Sequence, residues 1–179
     1  MLQHDHAALV LIDIQGKLAA QMHDKEALYR NLQILVQGAK ALELPILWLE
    51  QYPRGLGPTI PEVAELLRDQ QPLAKTCFSA CGLDAFQDTL RTSGRRQILL
   101  AGIESHICVW QTARDLLSTG HHVEIVSDAV SSRTAANKTL GLERMRQVGA
   151  EITSVEMCLF ELLKQAGSAE FKQIAALVK

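Results

Sequence analysis

The hydrophobic pattern of this chain alternates short apolar runs with longer segments of helical period. The short runs are rich in Val, Ile and Leu at consecutive positions, which is typical of parallel strands buried on both faces. They predict six strands, at Ala7–Ile12, Pro45–Leu49, Leu73–Thr76, Gln97–Ala101, His122–Val126 and Glu151–Thr153. Helices are predicted between and after them, at Lys25–Leu42, Pro61–Arg68, Leu83–Thr92, Ile107–Thr119, Thr134–Val148, Met157–Lys164 and Ala169–Val178. This alternation indicates an α/β fold.

Length and composition favour one globular domain over residues 1–179. A domain typically contains roughly 100 to 200 residues, so a chain of 179 residues has little room for a second core. Apolar residues make up 47% of the chain and charged residues 21%, values that exclude disordered and collagen-like proteins. The net charge is −2, and the Lys and Arg residues form no stripe that could follow a phosphate backbone. We therefore expect no nucleic-acid partner.

The amino terminus and the cysteines predict a cytoplasmic protein. The first apolar run, in MLQHDHAALVLIDIQG, has no basic segment before it and no small-residue cleavage site, so it does not resemble a signal peptide. No apolar run reaches the ~18 residues of a membrane-spanning helix, so we expect no membrane partner. Four cysteines are too few for a disulfide scaffold. Each cysteine is therefore a candidate core residue, ligand or nucleophile.

Two charged residues lie at the ends of predicted strands, where parallel α/β sheets bind their ligands. Asp13 follows the run ALVLI, and its apolar neighbours would raise its pKa as suits a general base, although a capping Asp fits this position equally well. An aspartyl-phosphate phosphatase is disfavoured, because Gln15 replaces the second carboxylate that Mg²⁺ needs. Lys75 ends a short apolar segment, and this position alone favours a surface Lys on an edge strand.

Cys108 is the most informative residue of the chain. The segment QILLAGIESHICVWQTARDLL runs from a buried strand into an amphipathic helix, which predicts Cys108 in the first helical turn. Unsatisfied N–H groups and the positive end of the helix favour a reactive thiolate there, whereas the alternative is a buried structural cysteine. The spacing C-x5-R to Arg114 also matches a phosphatase loop. The intervening residues contain no Gly, however, and favour a helix interior that turns Arg114 away from the thiol.

The remaining cysteines and one irregular segment complete the candidate features. Cys77 and Cys81 stand four residues apart, as half of a metal site would, but no matching His or Cys pair completes it. Core packing is therefore favoured for both, and for Cys158. The segment EQYPRGLGPT, at positions 50–59, predicts a loop that folds over a ligand.

Three segments together resemble the isochorismatase-like family of cysteine hydrolases. They are LVLIDIQ with Asp13, LAKTCFSA with Lys75, and LLAGIESHICVWQTA with Cys108, which VEIVSDAVSSR follows. The resemblance covers nearly the whole chain, and the GIESHICV string with SDAVSSR downstream is its most specific part. It implies a doubly wound three-layer sandwich, in which helices cover both faces of a six-stranded, mainly parallel sheet.

The resemblance also implies a catalytic triad at the carboxyl edge of that sheet. Asp13 would be the base and proton shuttle, Lys75 the cation that orients and steadies the thiolate, and Cys108 the nucleophile. A cis peptide between Ile103 and Glu104 would place the Glu104 amide beside that of Cys108, and the two amides would form an oxyanion hole. We expect the pocket lining to include Gln15, Tyr52, Phe78, Ile107 and Trp110.

Two departures from better-known members narrow the expected function. Nicotinamidases bind a metal through an Asp-x-His segment and a further His, whereas this chain has EQY at positions 50–52 and no His between His23 and His106. We therefore expect no metal and no organic cofactor. Isochorismatases lack the cysteine nucleophile that Cys108 provides here.

The sequence thus predicts a cysteine hydrolase that cleaves a small non-peptide amide or related acyl compound through a thioester intermediate. The segment EQYPRGLGPTIPE resembles the isochorismatase domain-containing hydrolases, whose substrates are poorly defined. The alternatives are a Cys-dependent phosphatase and a non-enzymatic binding or thiol-sensing module on the same fold. We expect a small-molecule substrate, and the resemblance implies a homo-oligomer.

Overall fold

A single parallel sheet forms the centre of the structure, which is a computed structural model that describes residues 1–179. Its strands are β1 (Ala7–Ile12), β2 (Ile46–Gln51), β3 (Leu73–Lys75), β4 (Gln97–Ile103), β5 (His122–Ser131) and β6 (Glu151–Thr153). The helices are α1 (Gly16–Ala19), α2 (Lys25–Ala41), α3 (Pro53–Leu56), α4 (Pro61–Ala64), α5 (Asp84–Ser93), α6 (Trp110–Ser118), α7 (Ala135–Gln147), α8 (Val155–Leu163) and α9 (Ala169–Leu177). The strand order is β3-β2-β1-β4-β5-β6, and all neighbours are parallel. The predicted doubly wound α/β fold is confirmed.

Helices bury both faces of the sheet, as the unbroken apolar strands predicted. All six residues of β1 are buried, and they alternate between two core layers. The odd-numbered residues of β1 pack with α2, α8 and α9, whereas the even-numbered residues pack with α5, α6 and α7. No helix combines the length and the apolar character that a bilayer crossing requires.

Three elements differ from their predicted form. β5 continues to Ser131, because its last residues pair with Gly102 and Ile103 of β4 after an irregular step. The helix predicted after β4 begins as a π-helical turn, Ser105–Val109, before it continues as α6. The segment predicted as a loop at 50–59 contains the end of β2 and the short helix α3.

The contact between the two central strands requires a glycine at position 102. Gly102 has φ of +117°, and a Cβ there would clash with the backbone oxygen of Ile12 and lie 2.7 Å from its nitrogen. Side chains of L-residues rarely tolerate that conformation, and such a distance lies well inside van der Waals contact. Gly102 therefore allows β1 and β4 to approach closely near their carboxyl ends.

We expect Gly102→Ala to lower the free energy of unfolding by at least about 3 kcal/mol, because backbone strain and the clash with Ile12 add. Gly120→Ala is the matched control, since Gly120 also has positive φ (+80°) but no atom lies within 4 Å of an added Cβ. The free energy of unfolding of the control should fall by only about 1 kcal/mol. Denaturant unfolding measures both variants, and equal losses would contradict this account of the β1–β4 contact.

Candidate active site

The strand order reverses between β1 and β4, and open α/β sheets bind ligands in the crevice outside the carboxyl ends of such strands. Asp13 directly follows β1. The π-helical turn that contains Cys108 follows β4 after Glu104. Lys75 is the last residue of the edge strand β3. The three residues of the predicted triad therefore share one edge of the sheet.

A buried ion pair joins Lys75 to Asp13. The Lys75 ammonium lies 2.7 Å from Asp13 Oδ2, and the two side chains are 0% and 1% exposed, respectively. The ammonium also donates to Gln51 Oε1 at 2.6 Å and to the carbonyls of Cys77 and Phe78, each at 3.2 Å. Lys75 is thus not the surface residue that an edge strand suggests, because protein oxygens replace its water.

The other carboxylate oxygen of Asp13 is buried and has no hydrogen-bond partner. Buried polar atoms are nearly always paired, and exceptions often mark catalytic groups. The Cys108 side chain lies beside this carboxylate, near enough for each group to shift the pKa of the other. Asp13 also has φ of +53°, an uncommon left-handed conformation for a residue other than Gly. The carboxylate therefore has one fixed oxygen and one oxygen available to a proton donor.

Cys108 is buried, and its surroundings disfavour the thiolate that the sequence predicted. It is 7% exposed and packs in the core layer of α5, α6 and α7. Burial, followed by the negative charge of Asp13, raises the pKa of the thiol to about 12, although the Lys75 charge opposes this rise. The physical reason for the difference is that desolvation and a neighbouring carboxylate outweigh the favourable end of the helix.

Burial also raises the pKa of Asp13 above its ordinary value of 3.8. The charge and the hydrogen bond of Lys75, together with the neighbouring Cys108 side chain, oppose this increase. Asp13 is therefore a stronger base than an exposed aspartate, even though it is held in an ion pair. A carboxylate with these properties can accept the proton of a neighbouring thiol.

Glu104 lies between β4 and the π-helical turn, and its peptide bond with Ile103 is cis, as the resemblance implied. The buried Glu104 side chain accepts hydrogen bonds from the backbone N and Nε of Arg133, at 3.2 and 3.1 Å. Its carbonyl accepts from the amides of Ile107 and Val109, at 3.0 and 3.2 Å. These contacts fix the Glu104 backbone at the start of the turn that carries Cys108.

Gln15 was predicted to line the pocket, but the structure places its side chain against the backbone. It is 0% exposed, and its Nε2 donates to the carbonyls of Gln51 and Gly57 at 3.0 and 2.7 Å. Its Oε1 accepts from the Gln51 amide at 2.6 Å. Because both N–H donors are used inside the protein, we correct its assignment from substrate contact to support of the loop after β2.

The other four predicted lining residues adjoin members of the triad in the chain or through backbone hydrogen bonds. Tyr52 and Phe78 are 54% and 55% exposed. Both adjoin Lys75, whose carbonyl accepts from the Tyr52 amide at 2.8 Å and whose ammonium donates to the Phe78 carbonyl. Ile107 and Trp110 are half-buried, and they lie on either side of Cys108 in the chain. Their contact with a substrate stays a prediction.

Gln51 is a site residue that the sequence analysis did not single out. Besides accepting from Lys75, its side chain donates to the Thr76 carbonyl at 2.8 Å. Gln51 ends β2, which lies between β1 and β3, so it stands between Asp13 and Lys75. The strand-end position that singled out those two residues could also have found Gln51.

Arg114 does not take the position that a phosphatase loop would require. Its side chain is 52% exposed, and both of its hydrogen bonds go to Asp115 Oδ1, at 2.9 and 2.8 Å. A phosphate-binding arginine would face the thiol of Cys108. The C-x5-R spacing is therefore a coincidence of helix sequence.

One group of side chains has the spacing of metal ligands, and it lies away from Cys108. The donor atoms of His122, Glu124 and Glu151 all lie within 4.8 Å of one another. These residues are at the amino-terminal ends of β5 and β6, the sheet edge opposite the triad. At the triad itself, the Lys75 ammonium is the cation that contacts Asp13.

The chain is similar to known proteins along nearly its whole length. A profile of the Isochorismatase domain matches residues 7–157. The secreted isochorismatase effector Isc1 of Phytophthora sojae is 38% identical over 177 residues, which cover 97% of this chain and 84% of that protein. Isochorismatase domain-containing protein 2 of Macaca fascicularis is 40% identical over 173 residues, which cover 96% of this chain and 82% of that protein.

A solved structure shows the same fold. The structure of MAR1 ribonuclease from Caenorhabditis elegans has a TM-score of 0.93 and 34% identity, and the alignment covers 99% of this chain and 91% of that chain.

Because the Phytophthora sojae relative is named as secreted, the cytoplasmic location expected from the sequence stays a prediction. The match to the family profile includes Asp13, Lys75 and Cys108. The chain therefore belongs to the isochorismatase family and has the fold of its hydrolases.

Proposed function

We propose that this protein is a cysteine hydrolase that cleaves a small non-peptide amide or related acyl compound through a thioester on Cys108. The observation that carries the proposal is the state of the Asp13 carboxylate. Lys75 fixes one of its oxygens, and the other oxygen is buried without a hydrogen-bond partner. The Cys108 thiol lies beside this carboxylate. A neutral thiol next to a carboxylate of raised pKa is a nucleophile with its own base.

In the first half-reaction, the sulfur of Cys108 attacks the carbonyl carbon of the substrate. The C–S bond forms as the thiol proton passes to Asp13 Oδ1, so no free thiolate accumulates. The backbone N–H groups of Glu104 and Cys108 would donate to the oxyanion, which is usually the largest single contribution in acyl transfer. The C–N bond then breaks, and Asp13 returns the proton to the leaving nitrogen.

In the second half-reaction, water hydrolyses the thioester. Asp13 accepts a proton from the water as the water oxygen attacks the acyl carbon. The C–S bond breaks, the proton passes to the sulfur of Cys108, and the product leaves as a carboxylic acid. Lys75 holds Asp13 Oδ2 throughout, while Gln51 is a positioning residue that holds Lys75.

We propose an uncharged substrate of small size. The remaining lining that the sequence predicts is apolar or aromatic and consists of Tyr52, Phe78, Ile107 and Trp110. The charged groups of the site are already paired, Asp13 with Lys75 and Glu104 with Arg133. Apolar walls with a few oriented polar groups suit a neutral amide or ester better than an ionic compound.

The half-exposed aromatic rings also support a homo-oligomer. Tyr52 and Phe78 each expose more than half of their surface, although both adjoin the buried Lys75. Exposed aromatic side chains near one another are typical of surfaces that a partner covers. We propose that a second copy of the chain covers these rings, and that the protein acts in the cytoplasm.

Trapping of the acyl-enzyme tests the proposed activity. With a panel of activated esters and anilides, we expect one acyl group per chain, which peptide mass spectrometry should locate on Cys108. Cys108→Ala should lower turnover by at least about 1,000-fold. The matched controls Cys77→Ala and Arg114→Ala should keep both acylation and turnover.

Three results would contradict the hydrolase. They are phosphate release that depends on Arg114, cleavage of RNA without acylation of Cys108, and failure of every member of the acyl panel to react. The first would favour the phosphatase, the second an activity like that named for the similar Caenorhabditis elegans protein, and the third a thiol-sensing or binding module.

The neutral state of Cys108 predicts an unusual reactivity pattern. Iodoacetamide should alkylate the more exposed Cys77 before Cys108 at neutral pH, because the reacting species is the thiolate and burial suppresses it at Cys108. An activated acyl compound should reverse this order, because Asp13 removes the thiol proton during the attack. Peptide mapping of the two reactions measures the order. Fast iodoacetamide labelling of Cys108 at about pH 6, well below the ordinary thiol pKa, would contradict the neutral thiol.

The pH dependence of kcat/KM should follow Asp13 and not Cys108. Asp13 must be ionised to accept the proton, so activity should fall as the pH drops through its pKa, which burial holds above 3.8. Activity should not rise further between about pH 7 and pH 9, because burial and the charge of Asp13 hold the pKa of the thiol well above its usual range. Asp13→Asn should lower kcat/KM by at least about 100-fold. Asp69→Asn, at a surface carboxylate, should leave the profile unchanged, and a profile that rises with thiol ionisation would contradict the mechanism.

A further inference from the structure

A cavity opens at the sheet edge opposite Cys108. It has a volume of about 610 Å³ and is lined by residues of α5 and α6, by the segments that connect these helices to β4 and β5, and by Cys81. Arg96 directly precedes β4, and His121 directly precedes β5. Since the seven residues of β4 separate this edge from the triad, the arginine end of the cavity lies roughly 20 Å from the triad. None of the triad residues lines this cavity.

The cavity has an apolar floor and a basic rim. Phe86, Leu90 and Leu116 line the floor, and they are 0%, 4% and 1% exposed. Arg95 and Arg96 lie at the rim together with His121. Its volume lies within the range of about 300 to 1,000 Å³ that is common for small-molecule sites. The shape and polarity therefore suit a ligand with an apolar body and one negatively charged group.

Of the three arginines in the lining, Arg91 is paired with Asp88, whereas Arg95 and Arg96 form no ion pair. Arg95 donates to the neutral carbonyl of His4 at 2.8 Å, which orients its guanidinium without removing the charge. Neither Arg95 nor Arg96 forms an ion pair within 4 Å. The one carboxylate of the lining, Asp115, is already paired with Arg114. Two guanidinium groups are thus available to an anion.

The carboxyl ends of α5 and α6 oppose anion binding, but they are too weak to cancel these charges. Each helix end carries roughly half a negative charge, and that charge acts through its unsatisfied carbonyls. Several of those carbonyls accept capping hydrogen bonds, including Arg91 from Gly94 at 3.1 Å and Leu116 from the Thr119 and His121 amides at 3.2 and 3.1 Å. Two full positive charges therefore exceed the residual negative charge of the helix ends.

We propose that this cavity is a second ligand site, which binds a small carboxylate with an apolar body. The guanidinium groups of Arg95 and Arg96 would bind the carboxylate, since their paired N–H donors match its two oxygens. The apolar body would pack on Phe86, Leu90 and Leu116. This site is separate from the proposed hydrolase site, and it does not depend on the reaction at Cys108.

Calorimetric titration with phenylbutyrate and its neutral amide tests the second site. The carboxylate should bind with saturation and at least about tenfold more tightly than the amide, because only the carboxylate pairs with the guanidinium groups. Arg96→Gln should weaken binding of the carboxylate about tenfold or more. Arg95→Gln tests the other guanidinium group of the rim in the same way. Arg146→Gln removes an exposed charge of α7 and should change nothing, and Cys108→Ala should also bind normally.

Amide chemical shifts locate the bound molecule. Shifts on titration should centre on Gly94 and Thr119, which line the cavity, and should be absent at Cys108. The proposal is overturned if phenylbutyrate shows no saturable binding at millimolar concentration, or if acid and amide bind equally. It is also overturned if neither Arg95→Gln nor Arg96→Gln weakens binding, or if the shifts centre on Cys108.

Discussion

The ion pair between Lys75 and Asp13 is the interaction on which the rest of the site depends. Removing two charges from water costs several kcal/mol for each ion, and their attraction offsets this only when further hydrogen bonds satisfy both groups. The ammonium obtains these bonds from Gln51 and from two backbone carbonyls after β3. The pair thereby connects the edge strand β3 to the central strand β1 and determines which oxygen of Asp13 remains unpaired.

The position of Cys108 explains why the proposed mechanism needs a base. The thiol lies in the apolar layer under α5, α6 and α7, where burial and the neighbouring carboxylate both disfavour a negative sulfur. An enzyme that relies on a preformed thiolate would expose the sulfur or surround it with positive charge. Here the Lys75 ammonium is paired with Asp13. The Asp13 carboxylate therefore disfavours the thiolate and is also the group that can remove the proton of the thiol.

The fold could be predicted from the sequence because it depends on local patterns, and unbroken apolar runs located the strands. Strand ends drew attention to Asp13 and Lys75, but only the family resemblance grouped them with Cys108 as a triad, and their catalytic roles stay a prediction. The contacts that depend on several elements together could not be predicted in this way. Gln15 was assigned to the lining because of its sequence position, yet its amide is satisfied by Gln51 and Gly57 from another segment. The protonation state of Cys108 was expected from one helix end, whereas it depends on burial by three helices and the sheet.

The central claim is that the resting enzyme holds a neutral Cys108 thiol beside an ionised Asp13. Infrared difference spectroscopy between the wild-type protein and Cys108→Ala measures this directly, because only a protonated thiol has an S–H stretching band. We predict that the Cys108 band is present and constant from about pH 6 to pH 9, a range that includes the ordinary thiol pKa. Absence of the band at neutral pH, with thiolate absorbance in its place, would contradict the account.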